Sequence, residues 1–373
     1  MSLALVGFGT ARPATALTQA EALQIAERIC CRREGQAEML APLYRQSGIR
    51  MRHFAFPAAV IADILHETKH TGSVFLPREE ENDRGPTTGQ RMQHYVQEAG
   101  PLALQAARQA LGEAEINPRS LTHLVTVSCT GFQAPGVDIE LIHRLELKPT
   151  IERTHIGFMG CHGALNGLRV ARAFTGSLPS ARVLLCAVEL CALHYHYPWS
   201  PKKMVSNALF ADGAAAVVGV PPTAAPRGAW QAVASGACLF PDSASAMTWS
   251  IGDHGFEMTL STRVPDLLAQ HLRPWLAEWL GDYGLRLGDV ASWAIHPGGP
   301  RILTAVERAL DLRPEATAVS REVLADCGNM SSPTVLFLLQ RLHARQAPLP
   351  CVALGFGPGL AAEVTLFRRR ASD

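Results

Sequence analysis

Residues 157–168 read Gly-Phe-Met-Gly-Cys-His-Gly-Ala-Leu-Asn-Gly-Leu, a stretch that sets a single cysteine among small residues. Helical periodicity follows directly, at Leu165, Leu168 and Val170. The pattern predicts a tight turn that enters a helix, with the sulfur of Cys161 at the helix N-terminus. The positive end of the helix dipole favours a thiolate there, and hence a nucleophile. A buried, inert cysteine is the alternative, because cysteine is among the most buried residue types.

Helix and strand patterns alternate along the rest of the chain and repeat themselves. Four helix-then-strand pairs are predicted, at 101–111 with 122–128, 164–174 with 182–188, 265–280 with 292–295, and 333–343 with 351–354. Corresponding elements lie about 170 residues apart, which indicates a duplicated α/β fold with a largely parallel sheet. The Pro- and Ala-rich stretch 221–228 predicts a boundary between halves 1–225 and 226–373. The polar stretch 78–89 is predicted to be a solvated loop.

Composition narrows the class of partner. Of 373 residues, 34 are basic and 33 acidic, so the net charge of +1 argues against nucleic acid or an anionic membrane as the partner. Only 18% of residues are charged, which predicts a surface partly hidden in an oligomer. No stretch reaches the roughly 20 apolar residues that a membrane span needs, and the N-terminus is typical of a first strand rather than a signal peptide.

The cysteines favour a reducing compartment. They occur at Cys30, Cys31, Cys129, Cys161, Cys186, Cys191, Cys238, Cys327 and Cys351. Because nine is an odd number and no Cys-x-x-Cys pair occurs, the sequence supports neither a disulfide framework nor a cysteine-rich zinc site. We therefore expect reduced thiols in a cytoplasmic protein.

Two residues in the second half are candidate partners for Cys161. His296 ends an apolar strand and precedes Pro-Gly-Gly-Pro, at the end of a strand where open α/β sheets place their sites. Asn329 precedes the helix that the repeat equates with the helix after Cys161. The repeat thus predicts that both helix N-termini meet at the centre of the molecule. A strand-end histidine and a helix-cap asparagine are the alternatives, although Ser331 or Ser332 is the better cap candidate.

Five ordered segments carry a family resemblance. They are the Cys161 segment, residues 207–215 (Asn-Ala-Leu-Phe-Ala-Asp-Gly-Ala-Ala), 296–300 (His-Pro-Gly-Gly-Pro), 328–332 (Gly-Asn-Met-Ser-Ser) and 355–359 (Gly-Phe-Gly-Pro-Gly). The chain resembles bacterial-type type III polyketide synthases, the chalcone-synthase-like members of the thiolase superfamily. The resemblance implies a five-layered αβαβα fold with duplicated halves and a homodimer. It also implies a catalytic triad of Cys161, His296 and Asn329.

The resemblance further implies the reaction. A starter acyl-CoA is loaded on Cys161, extended by decarboxylative condensation with malonyl-CoA, and released as a cyclised pyrone or resorcinol-like product, with no cofactor besides the CoA substrates. The chemistry needs a nucleophile to hold the chain, which Cys161 provides. It also needs neutral donors for the enolate oxygen, which suits His296 and the amide of Asn329.

The residues expected to shape the substrate cavity follow from the same resemblance. They are Phe210, Met258, Trp249, Cys191, His194, Cys129, Gly355, Phe356, Gly357, Pro358 and Gly359. Several depart from chalcone synthase: Met258 replaces a gatekeeping phenylalanine, Trp249 replaces a glycine and shortens the cavity, and Cys191 and His194 replace two threonines. Cys129 lies near the position that gates the starter pocket. Each of these departures could also be a wall residue without a chemical role.

The predicted CoA site and dimer interface also depart from the plant enzymes. Met39, Pro42 and Gln46 fall where those enzymes have basic residues, and four arginines are the substitutes considered: Arg45, Arg50, Arg52 and Arg301. Ala134 replaces a methionine that crosses the dimer interface in the family.

The alternatives to this function are a related condensing enzyme and a non-catalytic protein of the same fold. An initiating ketoacyl-carrier-protein synthase of the same superfamily also uses Cys, His and Asn, but makes one condensation on a carrier protein. A non-catalytic thiolase-fold scaffold would not need all three residues. The glycine run at 355–359 lacks dinucleotide spacing, so a nicotinamide cofactor is not expected. His194 and His196 are spaced like metal ligands but lack a completing set, so no metal is expected.

Overall fold

A computed structural model describes residues 2–80 and 82–369. Met1, Glu81 of the predicted loop and residues 370–373 of the predicted second half lie outside the described residues. The described strands are β1 Leu3–Ala11, β2 Thr15–Thr18, β3 Met51–Phe54, β4 His123–Ser128, β5 Glu152–Gly157, β6 Val183–Leu190, β7 Asp212–Val220, β8 Trp230–Leu239, β9 Met247–Gly252, β10 Gly255–Leu260, β11 Ser292–Ile295, β12 Cys351–Gly357 and β13 Ala361–Arg369. The described helices are α1 Gln19–Cys30, α2 Gln36–Arg45, α3 Ala58–His66, α4 Thr88–Ala114, α5 Val137–Arg144, α6 Gly163–Ser177, α7 Pro201–Leu209, α8 Val264–Gly281, α9 Pro300–Leu310, α10 Ala318–Cys327 and α11 Pro333–Ala344.

All eight predicted elements occur, and one boundary is far from its prediction. The helix predicted at 101–111 is the inner part of α4, which begins at Thr88. Thr87 caps this helix and exchanges hydrogen bonds with Gln90 in a capping box, a signal that was present in the sequence. The proline at 101 lies inside the helix instead of starting it.

The main sheet has nine strands in the order β11-β12-β13-β8-β1-β7-β6-β4-β5. The prediction of a largely parallel sheet is wrong, because only β4–β5, β4–β6 and β11–β12 pair in parallel, whereas the other five neighbouring pairs are antiparallel. One physical reason is connection length. The short turn Pro358–Leu360 between β12 and β13 permits a hairpin but is too short for the crossover that a parallel pair requires.

Three hydrophobic clusters show how the layers stack. One cluster joins α1 and α4 to strands of the first half, and another joins α8 and α9 to strands of the second half. Between them, α6 and α11 bury Leu165, Leu168, Val335 and Leu338 against strands from both halves. The result is an αβαβα arrangement whose two sheet halves meet only where two residues of β1 pair with β8.

The central layer positions the candidate site. Helix α6 begins directly after the Cys161 turn, and α11 begins shortly after Asn329, so both segments enter the middle of the molecule. None of the helices in the described part of the chain is both long and apolar enough to cross a lipid bilayer.

Candidate active site

The turn that holds Cys161 follows strand β5 and contains small residues. Gly160 adopts a φ of 74°, and a Cβ atom there would lie 2.5 Å from Cδ of Pro358. A Cβ on Gly163 would lie 2.9 Å from a side-chain carbon of Val127. Close approach of the backbone therefore explains the glycines around Cys161, which is buried in a 3₁₀ turn just before α6.

The Cys161 thiol is held in its protonated form by burial. Desolvation raises its pKa to about 11. Hydrogen bonds from the side chains of Ser331 and Asn329 act in the opposite direction, and the charge of Glu189 raises the pKa further. Burial thus acts against the thiolate that the helix N-terminus is expected to favour. A base must take the proton when substrate is present.

Asn329 lies against Cys161, as the duplicated halves predicted. Its backbone N–H donates to the carbonyl of Leu209 at 2.9 Å, and its carbonyl accepts from the N–H of Ala211 at 2.9 Å. Its Oδ1 accepts from the N–H of Ser331 at 2.8 Å. These bonds hold the carboxamide in place, and its Nδ2 group donates to the carbonyl of Gly298 at 3.5 Å.

His296 has an unused imidazole. It follows β11, donates its backbone N–H to Leu354 at 2.8 Å, and is 1% exposed. Neither Nδ1 nor Nε2 has a hydrogen-bond partner among the residues that the structure describes. Burial lowers its pKa to about 3, with a smaller contribution from His162. A buried polar group without a partner costs about 1–3 kcal/mol, so this neutral ring is poised for a ligand.

A small chamber borders Cys161 and includes six of the predicted cavity residues. It encloses about 30 Å³. The predicted residues that line it are Cys129, Cys191, Phe210, Trp249, Met258 and Pro358, together with Cys161 itself. Residues that were not predicted also line it, namely Thr130, Gly160, Met247, Thr248 and Ser331. Ser331 and Gly160 adjoin recognised motifs, whereas Met247 and Thr248 lie in β9 and come near only through folding.

His194 supports the wall of this chamber. Its Nδ1 accepts from the N–H of Phe256 at 2.9 Å, so the ring proton lies on Nε2, which donates to the carbonyl of Thr130 at 2.7 Å. The ring stacks on Phe256 with centroids 4.1 Å apart, and burial lowers its pKa to about 3. Trp249 packs against it and donates Nε1–H to the carbonyl of Cys129 at 2.8 Å. Both nitrogens of His194 are therefore occupied within the protein.

A second compartment of about 20 Å³ adjoins the chamber. The two share four wall residues, Cys191, Phe210, Trp249 and Met258, and His194 lines the second compartment. Phe210 also pairs through its backbone with Asn329 in an isolated β-bridge. This pairing fixes the aromatic side chain between the chamber and the polar side of the second compartment, which includes Lys203 and Glu257.

The glycine run 355–359 packs on the turn that holds Cys161. A Cβ on Gly357 would lie 2.4 Å from Cδ2 of His162, and one on Gly355 would lie 3.3 Å from Cβ of the same residue. Phe356 is buried in the cluster beneath the second half of the sheet, and Gly359 provides a turn with a φ of 77°. Of this run only Pro358 borders the chamber.

The four arginines predicted for CoA differ in their accessibility. Arg45, Arg50 and Arg301 are exposed, and Arg50 pairs with Asp326. The prediction for Arg52 is wrong, because this residue is only 1% exposed. Its Nη1 group donates to the carbonyls of Asn207 and Phe210, both at 2.8 Å. Its guanidinium is thus committed to the protein interior and cannot reach a pyrophosphate in solvent.

Glu189 is a buried carboxylate that was not among the predicted site residues. One carboxylate oxygen accepts from the N–H of Cys129 at 2.9 Å and from the hydroxyl of Thr130 at 2.7 Å, and the other accepts from Ser332. Among the described residues it forms no ion pair. Burial raises the pKa of Glu189 itself, and hydrogen bonds from Ser332, Cys129 and Thr130 act in the opposite direction. When Glu189 is ionised, its negative charge helps to raise the pKa values of Cys129, Cys161 and Cys191.

We expect Glu189→Gln to speed alkylation of Cys161. The amide oxygen can still accept from Cys129 and Thr130, and the amide N–H can donate to Ser332, so the substitution removes charge but keeps the contacts. A one-unit fall in the pKa of the thiol raises the thiolate fraction about tenfold below that pKa. Iodoacetamide labelling rates between pH 7 and 10, located by peptide mass spectrometry, measure this. Glu307→Gln is the control, and an unchanged rate profile would contradict the expectation.

The comparisons with known proteins agree with this geometry. Residues 2–222 match the family model for the N-terminal domain of chalcone and stilbene synthases, and residues 231–370 match the model for the C-terminal domain. The chain belongs to the chalcone and stilbene synthase family. It is a type III polyketide synthase, an acyltransferase that works by decarboxylative condensation, and the carrier-protein alternative is not favoured. The division at residue 225 stays a prediction.

Named relatives cover nearly the whole chain. A 1,3,6,8-tetrahydroxynaphthalene synthase from Streptomyces peucetius subsp. caesius is 32% identical over 96% of this chain and 91% of its own. The alpha-pyrone synthesis polyketide synthase-like Pks18 of Mycobacterium tuberculosis is 30% identical over 97% of this chain and 90% of its own. The crystal structure of PKS-I from the brown alga Ectocarpus siliculosus covers 99% of this chain and 98% of its own, with a TM-score of 0.91 and 33% identity. These matches confirm the predicted family and fold.

Proposed function

We propose that Cys161 carries the growing acyl chain and that His296 and Asn329 serve both its loading and its extension. Two observations support this proposal: neither ring nitrogen of the buried His296 has a partner among the described residues, and the side chain of Asn329 hydrogen-bonds the Cys161 thiol. A neutral imidazole can accept a proton with one nitrogen and donate with the other, which is what the two steps require.

Loading transfers an acyl group from CoA to the protein. His296 accepts the proton of Cys161, and the thiolate attacks the thioester carbonyl of an acyl-CoA. The carbon–sulfur bond to CoA breaks, and the departing CoA thiolate takes the proton from His296. The cysteine now holds the starter as a thioester.

Extension begins with malonyl-CoA. Its carboxylate leaves as carbon dioxide, and the electron pair of the broken carbon–carbon bond forms an enolate whose oxygen accepts hydrogen bonds from His296 and Asn329. The enolate carbon attacks the acyl thioester, a new carbon–carbon bond forms, and Cys161 departs as a thiolate. The apolar face of Phe210 disfavours the malonyl carboxylate and so favours its loss. These steps use only side chains of the protein and the two CoA thioesters.

The tight chamber supports a small acyl group and an early cyclisation. Names of the relatives include an alpha-pyrone and a tetrahydroxynaphthalene, and we propose a cyclised pyrone or resorcinol-like product here. The proposed cavity residues are the chamber lining and His194. Gly355, Phe356, Gly357 and Gly359 are proposed to shape the cavity indirectly, by packing behind the residues that line it. Arg45, Arg50 and Arg301 are the proposed contacts for the CoA phosphates.

The test is direct incubation of the protein with malonyl-CoA and a panel of aliphatic and aromatic acyl-CoAs. We expect release of carbon dioxide and cyclised polyketides detected by mass spectrometry. A parallel arm offers malonyl carrier protein in place of malonyl-CoA and is expected to give no product. Absence of both carbon dioxide and polyketide with every CoA starter would refute the proposed function.

Trp249 is expected to limit starter length. The indole borders both compartments and is held by its bond to Cys129 and its contact with His194, so Trp249→Gly opens continuous space. We expect kcat/KM for octanoyl-CoA relative to acetyl-CoA to rise by about tenfold or more. Ile251→Ala, an exposed position on the same strand, is the control. Equal starter preference in Trp249→Gly and the wild type would contradict the proposed cavity.

We also propose a homodimer formed around β5. This strand is at the edge of the main sheet, and the apolar side chains of Phe132 and Met159 beside it are 41% and 39% exposed. Light scattering is expected to give twice the mass of one chain. Phe132→Glu should yield monomers at micromolar concentration, whereas Leu178→Glu, at an equally exposed apolar position, should not. A wild-type monomer would refute this proposal.

A further inference from the structure

A buried chain of polar side chains starts at the residue next to the nucleophile. Nδ1 of His162 lies 2.8 Å from Oδ1 of Asn166, and Nδ2 of Asn166 donates to Oε1 of Glu363 at 3.0 Å. Arg169 closes the chain with an ion pair to the other oxygen of Glu363. Asn166 and Arg169 lie on α6, His162 lies directly before its first residue, and Glu363 belongs to β13. These side chains therefore tie α6 and the turn before it to the sheet of the second half.

The order of donors in this chain determines the tautomer of His162. Glu363 is ion-paired with Arg169 and can only accept, so the amide of Asn166 must turn its N–H toward it. The amide oxygen then faces His162, whose Nδ1 must carry a proton to donate to it. A neutral His162 consequently has no proton on Nε2.

The Nε2 edge of His162 faces Gly357 in the glycine run. A Cβ on Gly357 would lie 2.5 Å from this nitrogen, so the ring edge fills the space that the missing side chain leaves. Both histidines pack on neighbouring positions of β12, because a Cβ on Gly355 would lie 3.3 Å from Cβ of His162 and the carbonyl of Leu354 accepts from the N–H of His296 at 2.8 Å. The ionisable groups around His162 are Cys161 in the same turn, Arg169 on α6, Glu363 on β13 and His296 after β11.

We infer that His162 is a positioning residue that keeps an uncharged ring beside His296, held in the Nδ1–H tautomer by Asn166, Glu363 and Arg169. This inference rests on the proposed function, in which His296 accepts the proton of Cys161. A positive charge on His162 would oppose the imidazolium that His296 must become. Burial lowers the pKa of His162 and so favours the neutral ring, the hydrogen bond to Asn166 acts in the opposite direction, and the charge of Arg169 lowers the pKa further.

Removal of the cation Arg169 and removal of the anion Glu363 are predicted to shift the pKa of His162 in opposite directions. Arg169→Met removes a cation and leaves Glu363 unbalanced, so the pKa of His162 rises and the ring charges more readily as the pH falls. Glu363→Gln removes the anion and leaves Arg169, so the pKa of His162 falls. Neither substitution changes a residue that lines the chamber.

Nuclear magnetic resonance of ¹⁵N-histidine-labelled protein tests the tautomer without any substrate. The imidazole ¹⁵N shifts of His162, assigned by its loss in His162→Phe, are expected to show a protonated Nδ1 and a bare Nε2 at pH 7.5. Asn166→Leu removes the acceptor and is expected to change this signature. A wild-type His162 with its proton on Nε2 would overturn the inference, whether or not the protein makes polyketides.

A kinetic test uses Arg169, the partly exposed end of this row of polar side chains, because a substitution there is less prone to cause misfolding. Arg169→Met should raise the ratio of kcat at pH 8.0 to kcat at pH 6.5 by about threefold or more over the wild type, with KM for malonyl-CoA unchanged. Glu363→Gln should not raise it. Arg321→Met is a matched control, since the Arg321–Glu307 pair has side chains 38% and 11% exposed against 39% and 7% for Arg169 and Glu363. Equal ratios for Arg169→Met and Arg321→Met would refute the role.

Discussion

Replacement of Cys161 by alanine is expected to reduce polyketide formation by more than about 1,000-fold, while malonyl-CoA decarboxylation continues. The two outcomes separate because condensation needs a thioester on the sulfur, whereas decarboxylation needs only hydrogen-bond donors at the enolate oxygen. His296 and Asn329 remain in Cys161→Ala and still supply those donors.

The measurement combines carbon dioxide release from labelled malonyl-CoA with mass spectrometry of products and of the intact protein. No acyl adduct should form on Cys161→Ala. Cys186→Ala is the control, because Cys186 is fully buried in β6 and does not border the chamber. Acyl adducts or polyketides at wild-type levels in Cys161→Ala would show that another nucleophile carries the chain.

Asn329→Leu is expected to lower the rate of malonyl-CoA decarboxylation by about 100-fold to 1,000-fold. Leucine has a similar shape but cannot donate, and the backbone hydrogen bonds to Leu209 and Ala211 still hold residue 329 in place. The loss of rate falls on decarboxylation, because this is the step in which negative charge develops on the enolate oxygen. Loading of the starter on Cys161 should therefore decrease much less than decarboxylation.

The comparison of the two steps supplies an internal control. Acyl-enzyme formation is followed by intact-protein mass spectrometry, and carbon dioxide release is followed in the same samples. Thermal unfolding of the variant checks its stability, because Ser331 loses the acceptor for its N–H. Equal losses in both steps would mean that Asn329 acts through the structure of the site and not as an enolate donor.

Local patterns in the sequence predicted eight of the 24 described strands and α-helices, and the roles of the triad residues stay a prediction. The strand that became β11 and the helix that became α11 follow from apolar periodicity, a glycine or proline boundary and short-range backbone preferences. The turn around Cys161 was predictable for the same reason, because its glycines are needed wherever a backbone turns sharply before a helix.

Contacts between segments that are far apart in the sequence could not be predicted from such local patterns. Met247 and Thr248 line the chamber because a hairpin folds over it, and nothing in their own segment indicates this. Arg52 resembled a surface cation in the sequence, yet the rings of Tyr44 and Phe54 cover its guanidinium. The antiparallel pairing of most strands likewise depends on which strands become neighbours after folding.

The sequence by itself determined the family, the order of the eight predicted helices and strands, and three residue types suited to thioester chemistry, because these depend on local conformation and on covalent identity. Only the tertiary structure decided the ionisation of the site. Burial raises the pKa of Cys161 and lowers the pKa of His296, so it favours the neutral form of both groups. Desolvation depends on every segment that packs around a group, and those segments come from both halves of the chain.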